Sequence, residues 1–177
     1  MGTLRPVPAL SRPDLLADPV AAALRGWSWA DEVKVAEIDP ELADTAAFCE
    51  AYQVGPDVSA NCVVVAGKRE GQVRYAACLV LATTRADVNG VVRRQLDVRK
   101  ASFAPMDTAV AETGMQYGGI TPIGLPDGWP ILVDSAVAAT GEVVIGSGLR
   151  GSKLALPGKA LVELPGAQLV EVLATSS

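Results

Sequence analysis

The apolar residues of this chain come in short runs, each ended by glycine, proline or charge, and that segmentation limits what the chain can fold into. Apolar residues make up 50% of the 177 positions. No run approaches the roughly 20 residues that a membrane helix needs. The length suits one domain with a proper core and is too short for two, so residues 1–177 are expected to form a single domain. The opening MGTLRPVPALSRPD has no long apolar segment and predicts no signal peptide. Cys49, Cys62 and Cys78 are odd in number and widely spaced. That pattern argues against a disulfide framework and for a soluble protein in a reducing cytoplasm.

The short runs read as alternating strands and helices. A helix is expected from Ser11 to about Leu24, with Ser11 as cap and Pro13 in the first turn. Residues 32–38 alternate polar and apolar, the period of a half-buried strand. Asp39-Pro40-Glu41 reads as the start of a second helix reaching about Tyr52. Two apolar strands, Ala60–Ala66 and Gln72–Ala82, flank a charged turn at Lys68–Gly71 and predict a hairpin. Further on, a short helix over 86–96, a strand over 98–103 and a helix over 105–112 ended by Gly114 are expected. Short strands follow at 131–134, 142–145, 152–156 and 168–173. Strands outnumber helices, and hairpins mix with helical crossings, which gives an α+β class with a mixed, curved sheet.

The charge balance and one missing residue type narrow the chemistry. The chain carries 15 Lys and Arg against 20 Asp and Glu, a net charge of −5. That argues against a DNA-binding protein or one that grips nucleic acid along its backbone. Histidine is absent. Ser-His-Asp and Cys-His mechanisms and His-based zinc sites are excluded. Proton transfer must use carboxylates, Lys, Tyr, Cys, backbone groups or water.

Gly146-Ser147-Gly148-Leu149-Arg150-Gly151 spells G-x-G-x-x-G. A dinucleotide fingerprint must open a helix within a βαβ unit. Here Ser152–Leu156 alternates like a strand and runs into Pro157-Gly158. The segment therefore reads as a glycine-rich hairpin loop whose amides can approach a ligand. Arg150 at its tip reads equally as a phosphate contact or a solvated side chain. Cys62 and Cys78 sit inside apolar strands, where a small buried hydrophobe is the usual role, and no base is at hand to form a thiolate. Gly118-Gly119-Ile120-Thr121-Pro122 is on composition a turn with a fixed backbone shape.

In sequence order, Lys100–Ala104, Glu112-Thr113-Gly114, the Gly118–Pro122 loop, Ile123–Pro126, Ile131–Asp134 and the Gly146–Gly151 loop resemble the YbaK/EbsC family of editing domains. Ser59–Val65 matches the first core strand of that family. The resemblance covers about residues 33–173 and leaves residues 1–30 as an N-terminal helical extension. It implies an α+β domain around a barrel-like mixed sheet. It also implies hydrolysis of the ester of mischarged tRNA, chiefly small amino acids on tRNA for proline, without metal or cofactor. Gly118 and Pro122 would shape the substrate loop, with Gly119 and Thr121 beside them. Gly146, Ser147, Gly148 and Gly151 would line the opposite wall, and Asp134 would lie beside the pocket or simply cap the next helix. The acidic balance then implies contact with only the terminal nucleotides of the tRNA, or affinity borrowed from a synthetase partner. Where the family carries a lysine on its first core strand, this chain has Asn61. Asn61 is then a substitute donor, with Lys153 or Arg150 supplying charge, or it marks a module that binds an aminoacyl-adenosine-like ligand or a synthetase without cleaving. A third reading is a partner-binding homodimer that keeps only the fold.

Overall fold

The computed structural model describes residues 1–177. In chain order its strands are β1 (Val7–Pro8), β2 (Lys34–Glu37), β3 (Ala60–Arg69), β4 (Gln72–Leu81), β5 (Thr84–Ala86), β6 (Ala101–Phe103), β7 (Ile131–Asp134), β8 (Val143–Gly146), β9 (Ser152–Leu156), β10 (Ala167–Val170) and β11 (Ala174–Ser176). The α-helices are α1 (Asp18–Arg25), α2 (Thr45–Tyr52), α3 (Arg93–Leu96), α4 (Met106–Thr113) and α5 (Ser135–Ala138). Two larger sheets run in the orders β1-β2-β9-β8 and β10-β7-β4-β3-β6, and β11 pairs with β5. The five-stranded sheet is mixed. Strand β7 runs parallel to β4 and β10, whereas β3 runs antiparallel to β4 and β6.

Side-chain alternation along the strands sorts the core into layers. Leu79, Leu81, Ile131 and Val133 of the five-stranded sheet meet Val143, Ile145, Leu154 and Leu156 of the four-stranded sheet in the central core. Val20 and Leu24 of α1 belong to that core, so the first thirty residues help to build it. The other face of the five-stranded sheet, with Val65, Ala76, Cys78 and Leu132, is covered by Val88, Val92 and Leu96. The other face of the four-stranded sheet presents Val144 to Ile38, Phe48 and Val54. Strands β4, β7 and β8 are therefore held in register by both of their faces. A one-residue slip would exchange the two sets.

The barrel-like sheet implied by the resemblance is corrected. The two large sheets face each other, but a single parallel bridge, Ser59 to Val144, links them. Closing a barrel requires every edge strand to be hydrogen-bonded to a neighbour. Here β1, β6, β8 and β10 each end a sheet. The result is a layered α+β arrangement.

Two helix boundaries also differ from the sequence reading. Ser11 ends one 3-10 turn and Pro13–Leu15 forms another, so α1 starts only at Asp18. Asp39 does act as a cap, accepting from the Glu41 amide at 3.0 Å, but it caps only the 3-10 turn Pro40–Leu42. The chain then breaks at Ala43-Asp44 before α2 begins. That break exposes the Ala43 carbonyl and the first turn of α2. The β3–β4 hairpin turns through Glu70 and Gly71, both at positive φ, as a two-residue connection between twisted strands demands.

Candidate active site

A cleft of about 280 Å³ opens beside β3. Its floor is Ala60–Val64 of β3. Its walls are the start of α2 with the preceding Ala43-Asp44, residues Phe103-Ala104, Tyr117-Gly118 with Ile120, and Gly146 with Lys153. Lys153 arrives there through strand periodicity. Leu154 and Leu156 of β9 enter the central core, so Lys153 must point to the opposite face, beneath α2. Its ammonium donates to the Ala43 carbonyl at 3.1 Å and lies 5.1 Å over the Phe48 ring. Lys153 is 9% exposed, and burial lowers its pKa, with Cys49 and the Asp44 carboxylate pulling the other way. An ammonium carries three donors; only one of these meets a protein acceptor.

Asn61 sits on the cleft floor, half-buried. The Thr45 hydroxyl donates to its Oδ1 at 2.6 Å. This fixes the amide, and Nδ2 makes no hydrogen bond within the protein. Two residues before Asn61 is Ser59, bridged to Val144 of β8. Two residues after Val144 is Gly146, whose β9 partner is Lys153. The amide and the ammonium thus reach one cleft from two different sheets.

The pair of glycine-rich loops forms one wall of this cleft, which corrects the expectation of two opposing walls. They are joined backbone to backbone. The Gly148 amide donates to the Gly119 carbonyl at 2.7 Å, and the Gln116 amide donates to the Gly148 carbonyl at 2.9 Å. A Cβ on Gly146 would stand 2.5 Å from the Gly119 carbonyl oxygen, and one on Gly119 would stand 2.6 Å from that of Leu149. Any side chain at either position would separate the loops. Arg150 completes the joint: its guanidinium donates to the Tyr117 and Pro40 carbonyls, each at 3.1 Å, and its amide donates to the Gln116 side chain at 2.8 Å. Its carboxylate contact, with Asp44, is long at 3.9 Å.

The family model of the aminoacyl-tRNA editing domain matches residues 39–164, which span both loops, the break before α2 and all of the cleft. The chain belongs to this family. A candidate trans-editing enzyme for prolyl-tRNA synthetase superposes with a TM-score of 0.75 at 22% identity, covering 91% of this chain and 97% of that one. A hypothetical protein superposes at 0.70 with 19% identity, covering 81% and 91%. A candidate signal transduction protein from Marinobacter aquaeolei VT8 reaches 0.54 at 16% identity, where 89% of this chain matches 30% of that one. These likenesses establish the editing-domain fold.

Within this editing domain the sequence-derived site residues separate into two groups. Asn61, Gly118, Gly146 and Lys153 line the cleft. Gly119, Gly148 and Arg150 hold the loop joint. Ser147 is fully buried, sharing a hydrogen bond of 2.6 Å with the Ser152 hydroxyl, and the Gly151 carbonyl accepts from the Ile38 amide at 2.9 Å. Thr121 is fully buried, its hydroxyl without a hydrogen-bond partner. Pro122 lines a separate cavity of about 540 Å³ with Trp27 and Trp129. Asp134 is buried at the end of β7, where its Oδ1 accepts from the Leu173 amide at 3.4 Å, outside the cleft lining. Cys62 does line the cleft, but burial drives its thiol pKa far above the ordinary value, which leaves it an inert apolar surface.

Four contributors escaped the sequence reading. Thr45 and the Ala43 carbonyl were hidden because Asp39 to Tyr52 reads as one helix, whereas Asp44-Thr45 is a second cap-like pair that signals the break. Phe103 and Tyr117, at the cleft rim, are 61% and 48% exposed. Two aromatic residues exposed at one mouth are a signal only once the fold brings them together.

Proposed function

We propose that the cleft hydrolyses the ester of a mischarged tRNA bearing a small amino acid, with tRNA for proline as the first substrate to test. The observation that carries this reading is the buried Lys153 ammonium, with two donors free, beside the free amide of Asn61. Lys153 supplies the positive charge that a first-strand lysine would give, and it does so from β9. In this reading the ester carbonyl oxygen faces Lys153 and Asn61 Nδ2. Water adds to the carbonyl carbon, and the developing oxyanion is held by these donors in a site partly shielded from solvent, where such interactions are strongest. The C–O bond to the ribose then breaks, the ribose oxygen takes a proton, and free amino acid and tRNA leave.

The departure at Asn61 supports a second reading, a module that binds the aminoacyl end without cleaving it. Single-turnover deacylation of alanyl- and cysteinyl-tRNA for proline separates the two. Turnover well above the buffer rate is expected from the native chain. A rate equal to buffer, together with a rise in melting temperature on adding a non-hydrolysable aminoacyl-adenosine, would give the second reading instead. Asn61→Lys places a second cation near Lys153, so the variant is expected to lose activity. A gain would show that Lys153 does not supply the missing charge.

A further inference from the structure

The whole-chain charge conceals a local reversal. Residues 66–100 carry eight of the 15 Lys and Arg but three of the 20 Asp and Glu, a local net charge of +5 in a chain of −5. Lys68, Arg99 and Lys100 from this stretch line one surface groove of about 470 Å³ together with Val73 and Ser102. All three cations are exposed and none has a carboxylate within salt-bridge distance. The carboxylate of Asp97, which lies in the same stretch, is already held by Arg69 at 2.8 Å and faces Arg74 at 3.8 Å.

The groove and the cleft lie one after the other along β3. Side chains alternate along a strand, so Cys62, Val64, Ala66 and Lys68 of β3 share one face. Cys62 and Val64 lie in the cleft; Ala66 and Lys68 lie in the groove. Four residues separate Val64 from Lys68, about 13 Å at strand rise. Across the pairing of β3 with β6, Ser102 stands opposite Ala66 and lines the same groove. An extended polyanion lying along this face would therefore end at the cleft.

We propose that the Lys68–Arg99–Lys100 groove holds backbone phosphates of the acceptor end of tRNA, whose 3′ terminus enters the cleft. This rests on the editing reading above and adds a surface to it. Contact is then not confined to the terminal nucleotide, as the net charge of the chain implies. Unpaired cations on an otherwise acidic protein also set the direction of approach, because the remaining surface repels the nucleic acid.

The test is equilibrium binding of labelled, deacylated tRNA at 50 to 200 mM salt. Three phosphate contacts give a log–log slope of about −2 to −3, so the affinity of the native chain falls about 20- to 40-fold over this range. The combined variant Lys68→Glu, Arg99→Glu, Lys100→Glu loses most of that slope and binds at least about tenfold more weakly at 50 mM salt. The triple Gln variant falls between the two, and unchanged melting temperatures keep both as tests of contact. No tRNA binding by the native chain, or native affinity and slope in the Glu variant, overturns the proposal. Binding of non-hydrolysable alanyl-adenosine to the native chain reports on the cleft alone. If it fails while tRNA binding keeps its groove-dependent salt slope, the cleft reading falls and the groove stands. If it succeeds while tRNA affinity is insensitive to salt, the groove falls and the cleft stands.

Discussion

The glycine-rich loop pair and the cleft beside it are built from adjoining residues under opposite rules. In the loop pair Gly119, Gly148, Ser147 and Arg150 bond to other protein groups. In the cleft, Lys153 has one acceptor for three protons and Asn61 Nδ2 has none. Arg150 and Lys153 are three residues apart, yet the first closes a joint and the second faces open space. The difference teaches that the conspicuous motif supplies rigidity, and that the polar groups left free to meet a ligand lie beside it. Buried groups break the usual rule of full pairing mainly where a ligand completes them.

The largest expected effect comes from removing the cation. Lys153→Met keeps an unbranched apolar stem against Phe48 and deletes the charge. Deacylation is expected to drop by about 100-fold or more, the scale of losing one oxyanion donor. Stability should hold or rise, because a buried charge with few partners disappears. Single-turnover rates beside thermal unfolding check both halves, and full activity in the variant would remove Lys153 from the mechanism.

The pH behaviour sharpens the same point. Burial holds the Lys153 pKa below its ordinary 10.5. Between the folded and unfolded values the unfolded chain binds more protons, so this residue makes stability rise with pH across that window. Activity runs the other way. The ammonium is lost as pH rises through the lowered folded value, and the acceleration over buffer falls while an ordinary lysine would still be charged. A profile flat up to pH 10.5 would contradict this.

Next in size is the loop joint. Gly146→Ala forces a methyl group against the Gly119 and Ile120 carbonyls, at 2.5 and 2.7 Å before relaxation. The Gly119 carbonyl cannot yield cheaply, because it accepts the Gly148 amide in the joint. A loss of about 1–3 kcal/mol is expected, typical of overpacking, measurable by denaturant unfolding. Activity should fall as well, since Gly146 lines the cleft and pairs with Lys153. Unchanged stability would mean that the joint is softer than its hydrogen bonds indicate.

Much of this was legible in the sequence because the deciding signals are local. The Gln72–Leu81 strand, the Ser152–Leu156 strand and the helix ended by Gly114 follow from alternation and a left-handed cap. Asn61 and Lys153 are singled out by the family resemblance, and both line the cleft. What was not legible depends on contacts distant in sequence. Nothing local shows that Gly119 and Gly148 bond to each other rather than face each other across a ligand. The single bridge from Ser59 to Val144, which leaves the sheets unclosed, joins residues 85 positions apart. The resemblance puts Asp134 either beside the pocket or at a helix cap, and only the contact of its carboxylate with the distant Leu173 amide shows where it is held.

Asp134 therefore gives the smallest predicted effect and the sharpest control. Burial raises its pKa above the ordinary carboxylate value, partly opposed by backbone hydrogen bonds from Leu173, Ser135 and Ala136. With the folded value above the unfolded one, the folded chain binds more protons between them, and stability falls as pH rises through that window. Asp134→Asn keeps an acceptor for the Leu173 amide and removes the buried charge. At neutral pH the variant should unfold at the same temperature or slightly higher, and the acid dependence of stability in that window should weaken. Deacylation should stay within about twofold of native, well inside the factor of ten that 1.4 kcal/mol of transition-state energy represents. A tenfold loss of activity with unchanged stability would return Asp134 to the site. It would also mean that the boundary between structural and chemical residues lies further from the loop joint than the hydrogen bonds place it.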